Sequence, residues 1–206
     1  RTTSSAASDV YKRQYIYGWR QVPINNSVIG EKANSTRPEI EQVMFVNNIE
    51  RGNNFDYSKE LYLVRRRLEK RIAKQQINGF YVCSLSFESI IYKGLFLAEQ
   101  LSIFYPDLAN ESFVSSYAVF HQRYSTNTFP SWGLAQPFRM LAHNGEINTI
   151  SGNTNWMRNH QTRIASEIFG DDSEQVKPII EKNVSDSAAL DAAFELYVRA
   201  GRSVPL

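Results

Sequence analysis

The sequence predicts an α+β domain, on three observations. Apolar runs of strand length recur at 40–46, 80–85, 89–92, 117–120 and 138–142, each bounded by polar or turn-forming residues. Two longer stretches, about 55–76 and 187–199, have helical character instead; in the first, Leu61, Val64, Leu68 and Ile72 fall on one face. The chain has 206 residues, 42% hydrophobic and 21% charged, a size and balance suited to one globular domain or a piece of a larger protein.

Bulk properties exclude several functions. A net charge of +2, with Lys and Arg dispersed along the chain, gives no electrostatic case for nucleic acid. A single cysteine rules out an intrachain disulfide framework and fits a reducing, cytoplasmic compartment. No apolar run approaches the roughly 18 residues of a membrane span, and no secretory signal pattern opens the chain. Triplets such as Asn34-Ser35-Thr36 match glycosylation acceptors but carry no weight without a secretory route.

Residues 1–14 lack apolar periodicity and read as a non-native leader, a genuine polar tail being the alternative; the domain is expected to occupy 15–206. Residues 15–38 are turn-rich, with Pro23, Gly30 and Pro38 among polar residues, and Trp19 is expected to seat beneath them. Residues 40–46 read as a buried strand. The helix starting at Phe55-Asp56-Tyr57-Ser58 has a basic face, Arg65-Arg66-Arg67 with Lys70 and Arg71, which reads as solvated, with a docking surface as the alternative. Residues 80–85 and 89–92 read as a hairpin. Cys83, inside its first strand, reads as a small buried hydrophobe, against the alternative of a nucleophile. A short helix at 97–105 should end at Pro106.

The stretch 121–148 draws the most attention. Two apolar runs, 117–120 and 138–142, read as central strands with polar ends, and a stiff loop, 125–137, joins them. Arg123 offers a planar cation suited to a carboxylate. Asn144 offers an amide donor, and Gly145, lacking Cβ, lets a small molecule approach its backbone N–H. An amide beside an open N–H can form an oxyanion hole. Asn-Gly is equally a two-residue hairpin turn, and Arg123 an ordinary strand-end ion-pair former. A helix follows at about 154–168, with His160 on its surface, then a polar loop at 171–177. Ser185 or Asp186 then caps the last helix.

The segments 120–128, 130–132 and 143–149 closely resemble the amidotransferase domain of glutamate synthase, among the class II glutamine amidotransferases. The likeness extends to Gly152-Asn153-Thr154-Asn155-Trp156-Met157, Ser185-Asp186-Ser187, residues 18–23 and residues 81–86. It implies an αββα four-layer sandwich of the N-terminal-nucleophile hydrolase type, with 15–206 as a partial domain incomplete at both ends. It also implies an N-terminal cysteine nucleophile attacking the carboxamide of L-glutamine, with the α-amino group of the chain as base. By resemblance, Asn144 and Gly145 hold the oxyanion, Arg123 the substrate carboxylate and Asp186 the substrate α-amino group.

No cysteine stands near the start of this sequence, and Cys83 matches an interior strand position of the family. The resemblance therefore implies negligible glutaminase turnover for these residues alone. A non-catalytic glutamine-binding or regulatory module is the alternative, and a hydrolase using Cys83 a weaker one. No cofactor is expected here; FMN and an iron-sulfur cluster belong to later domains of a parent chain. The expected partners are those domains and a small reductase subunit. A sandwich lacking its first strand would expose a sheet edge, so marginal solubility is expected.

Overall fold

The computed structural model describes residues 14–47, 56–124 and 128–203. The leader assigned to 1–14 lies almost wholly outside the described residues, as do Phe55, Ser125, Thr126, Asn127 and the last three positions.

Among the described residues the sheet is a single antiparallel pair, β1 (Gln14–Gln21) with β2 (Glu41–Asn47). Its register runs from Gln14 opposite Asn47 to Gln21 opposite Glu41, with an irregularity between Ile16 and Gly18. The strand expected at 40–46 is therefore present, but not buried as expected: residues 40–45 are half-buried or exposed, Met44 among the exposed ones, because the two-stranded ribbon has one face open. The turn-rich reading of 15–38 is corrected at its start, because the β-forming alternation of Tyr, Ile and Trp in β1 pairs with β2. Trp19 is also corrected: it is half exposed on the ribbon. The residue that ties the ribbon down is Arg20. Its guanidinium pairs with Asp107 and its Nε donates to Gln42 Oε1 at 2.7 Å, while Tyr92 Oη donates to Asp107 Oδ2 at 2.9 Å.

Among the described residues there are five α-helices. The short α1 (Glu31–Ser35) precedes β2, and the 18-residue α2 (Tyr57–Lys74) follows it. Asp56 caps α2 by accepting from Lys59 N at 2.9 Å, a bond of a kind that contributes about 1 kcal/mol. The single-turn α3 (Leu101–Phe104) sits between 3₁₀ turns and stops before Pro106, as Pro sterics require. The α4 helix (Ile150–Ile168) begins a few residues before the expected position, and α5 (Asp186–Arg199) is capped by Ser185, whose side chain accepts from Ala188 N at 3.1 Å.

The segments 80–85, 89–92, 117–120 and 138–142 do not form strands. Their apolar runs signalled burial or extension, but side chains take up their backbone groups. Ser86 Oγ accepts from Glu88 N and Ser89 N at 3.0 and 3.2 Å, and Ser84 Oγ from Ile91 N at 3.3 Å, where a hairpin was expected. The run 117–120 is largely exposed, with Tyr117 and Phe120 about three-quarters accessible.

Among the described residues two apolar cores form. One joins Tyr62 and Leu63 of α2, Ala189 and Leu196 of α5, and Phe169, Val176, Ile179 and Ile180 from the connector between α4 and α5. The other gathers Val22, Ile29, Phe104, Tyr105 and Trp132, so the stiff 3₁₀ turn at Trp132–Leu134 is anchored by its tryptophan.

The basic face of α2 is corrected most sharply. Arg65 and Arg66 are buried, 3% and 5% exposed, because acids come to meet them. Arg65 reaches Glu69 at 2.7 Å and Glu195 at 2.5 Å; Arg66 reaches Glu69 at 2.8 Å and Glu181 at 3.2 Å. Buried charges persist only when paired in this way. Arg67 pairs with Asp172 at the surface. Among the described residues no helix is long and apolar enough to cross a membrane.

Candidate active site

The site is organised by α5 and by the segment 136–147 that lies against it. Asp186 is the first residue of α5 and is buried. Its Oδ2 accepts the backbone N–H of Ile147 at 3.0 Å, and its Oδ1 accepts that of Ser187 at 2.7 Å. Backbone donors of this kind favour an ionised carboxylate, and a helix N-terminus does too. Ser185 takes the capping role that the sequence left open between it and Asp186, which frees the aspartate to face the 143–147 segment.

One and a half turns along α5, Asp191 is also buried. It accepts three backbone N–H bonds, from Arg139 at 3.3 Å, Met140 at 2.8 Å and Leu141 at 3.1 Å. Burial pushes its carboxyl pKa up, and the bond from Met140 opposes that rise. Asp191 thus satisfies the backbone that sequence reasoning had assigned to a second central strand.

Beyond it, the Gln136 amide brackets residue 143: its Nε2 donates to His143 O at 2.9 Å, and its Oε1 accepts from His143 N at 2.8 Å. Phe138 N donates to Leu141 O at 2.9 Å, which tightens the turn between them.

Asn144 and Gly145 project from this supported base and are exposed. They do not join two strands, so the hairpin alternative fails. The Gly145 N–H donates to His143 Nδ1 at 3.3 Å. A Cβ added to Gly145 would lie 2.8 Å from His143 Cε1, so the residue must be glycine unless the ring moves. The same Nδ1 lies 3.5 Å from Ser187 Oγ.

Arg123 is exposed, and its backbone N–H donates to His121 Nδ1 at 3.0 Å. Tyr124 pins the segment through its Oη, which donates to Gly94 O at 2.6 Å. No hydrogen bond among the described residues joins the Arg123 guanidinium to Asp186 or to 143–145. The structure therefore links His143, Gly145 and Ile147 to Ser187 and Asp186, with Asn144 exposed between His143 and Gly145 in the chain, and leaves Arg123 on a separate support.

Cys83 is partly buried, and its thiol pKa is raised, chiefly by burial, with Lys93 and Arg139 opposing. That is the environment of an inert cysteine. Among the described residues no three His, Cys, Asp or Glu side chains cluster as metal ligands would.

Sequence reasoning missed Gln136, His143, Ser187 and Asp191 as parts of the site. His143 and Ser187 stood inside the motifs that carry the family resemblance, and Asp191 left a weaker signal, an acid within the Ala/Leu-rich stretch of α5.

The comparisons agree on kinship. The chain is 61% identical over 193 residues to the glutamate synthase (NADPH) large chain of Azospirillum brasilense, covering 93% of this chain and 13% of that one. It is 47% identical over 189 residues to the chloroplastic ferredoxin-dependent glutamate synthase of Spinacia oleracea, covering 91% and 12%. It is 44% identical over 189 residues to the glutamate synthase (NADPH) large chain of Bacillus subtilis (strain 168), covering 92% and 12%. It thus spans 12–13% of the length of these relatives. The family described as glutamine amidotransferases class-II matches residues 3–206, and this chain belongs to it.

Proposed function

We propose that these residues form the glutaminase domain of a glutamate synthase large chain, binding L-glutamine and directing its side-chain nitrogen toward glutamate synthesis from 2-oxoglutarate. The observation that carries the reading is the join between Asp186 and the 143–147 segment, in a chain matched by the class II family along nearly its whole length.

The chemistry accounts for the residue types. Glutamine is a zwitterion, so its α-amino group suits a buried carboxylate, Asp186, and its carboxylate suits Arg123. When a thiolate attacks the carboxamide carbon, the carbonyl oxygen gains a negative charge that Asn144 Nδ2 and Gly145 N–H would hold. The C–N bond then breaks, ammonia leaves with the proton delivered by the base, and water hydrolyses the thioester to glutamate. The raised pKa and burial of Cys83 argue against it as that thiol, so we assign the nucleophile to another part of the whole protein.

We further assign to the whole protein a completed αββα sandwich, FMN and an iron-sulfur cluster in later domains, a small reductase subunit as partner, and a cytoplasmic location. The first three rest on the family resemblance, and the cytoplasmic location on the single cysteine. A second reading, a glutamine-binding module without turnover, draws on the state of Cys83.

Isothermal calorimetry of L-glutamine against the purified chain, with Arg123→Ala as control, tests the assignment. Binding that disappears in the variant supports the site. Equal binding by both removes Arg123 from it, and binding by neither from folded protein removes glutamine recognition from these residues.

A further inference from the structure

The His143 imidazole touches both halves of the site. Its Nδ1 receives the Gly145 N–H at 3.3 Å and faces Ser187 Oγ at 3.5 Å. Ser187 Oγ in turn lies 3.4 Å from Asp186 Oδ1. Two features of these groups create a choice. A neutral imidazole nitrogen has one lone pair, so Nδ1 can fully accept from only one of Gly145 and Ser187. A serine hydroxyl has one proton, so Ser187 can donate to Asp186 or to His143 but not to both. In the structure His143 Nδ1 holds the Gly145 N–H at 3.3 Å, while the Ser187 hydroxyl stands between its two acceptors, 3.4 Å from Asp186 Oδ1 and 3.5 Å from His143 Nδ1.

Resting on the functional reading above, we propose that His143 and Ser187 are positioning residues forming a latch that keeps the Gly145 N–H turned away until glutamine binds. An ammonium arriving at Asp186 competes with the Ser187 hydroxyl for the carboxylate. The hydroxyl rotates to His143 Nδ1 and displaces the Gly145 N–H, which becomes available to the developing oxyanion. No bond to carbon changes; one proton donor is exchanged for another on Nδ1. The arrangement around the latch fits this use. Gln136 fixes the His143 backbone from both sides, so the ring can change partner without the segment moving, and Ser187 is 1% exposed, so water does not compete for its proton.

The test is made on the intact protein that carries this domain. For Ser187→Ala, with Asp186 untouched, kcat for glutamine hydrolysis should fall about tenfold to a hundredfold, a part of the loss typical of a missing oxyanion donor, while KM stays within about twofold. Ser187→Thr, which keeps the hydroxyl, should recover most of the rate. The backbone amide resonance of Gly145 should shift on saturation with L-glutamine in the wild type and not in Ser187→Ala. An unchanged kcat in Ser187→Ala, or a KM that rises in step with the loss, overturns the latch, as does a Gly145 amide unmoved by bound glutamine. Wild-type protein that binds glutamine without hydrolysing it defeats the glutaminase reading instead, and the amide shift still decides the latch.

Discussion

Arg65 of α2 and Glu195 of α5 meet at 2.5 Å with side chains only 4% and 7% exposed. Removing one partner of a buried pair costs more than the pair contributes, because the remaining charge has lost both water and its counterion. Glu69 still serves Arg65 at 2.7 Å, which softens the loss. Glu195→Ala should destabilise the domain by about 3 kcal/mol, and Arg65→Met with Glu195→Leu by clearly less. Denaturant unfolding of the two variants checks the order; a double variant less stable than the single one would contradict it.

The Lys93 ammonium donates to Gly133 O at 2.8 Å and lies over the rings of Tyr81 and Phe138. Burial, aided by Arg139, pushes its pKa down from 10.5 to about 8. The folded state then holds fewer protons than the unfolded one between those values, so stability should rise as pH increases from about 8 to 10.5. The gain is on the order of 3 kcal/mol. Lys93→Met should flatten this rise. Tyr81 and Tyr105, whose pKa values burial raises, oppose the rise near its upper end in both proteins. The difference between wild type and variant across pH is therefore the quantity to measure.

Asp191 holds three backbone N–H groups that face no strand. Asp191→Ala would leave them without their acceptor, each lost buried bond costing about 1–3 kcal/mol. Amide hydrogen exchange at Met140 and Leu141 should speed up at least about tenfold relative to the rest of the domain. Protection unchanged at these two positions would mean another acceptor holds the segment.

These residues also show what the sequence could disclose. A cap at Ser185 or Asp186, the length of α2 and the stop before Pro106 rest on neighbours a few residues apart, and all three were legible. The partners of Arg65 and Arg66 were not, since Glu181 and Glu195 lie more than a hundred positions away and a basic helix face looks the same whether or not acids will cover it. The run at 138–142 has the composition of a strand, yet a carboxylate from α5 takes its donors. At the candidate site, Asn144, Gly145 and Arg123 were singled out by residue chemistry with a turn and an ion pair as alternatives, and family likeness supplied their roles and that of Asp186. His143 and Ser187 were inside the quoted motifs, but their roles depend on two loops meeting, which spacing does not encode.

Cys83 should resist alkylation in the folded protein. Its thiol pKa is raised by burial, so both access and thiolate fraction are low. Iodoacetamide labelling at neutral pH should be at least about tenfold slower than in denaturant. Equal rates would reopen the case for Cys83 as a nucleophile.

The three carboxylates of α5 act on the helix as a mechanical mount. Asp186 is fastened to Ile147, Asp191 to the backbone at 139–141, and Glu195 to Arg65 of α2. A rod held at its end, middle and far turn by partners from different directions can neither slide nor rotate freely. A slip of one residue, about 1.5 Å, would detach all three at once. Asp186 therefore keeps its position with the stiffness of the whole helix, and wear at the distant Glu195 fastening would be felt at the Asp186 end as lost alignment.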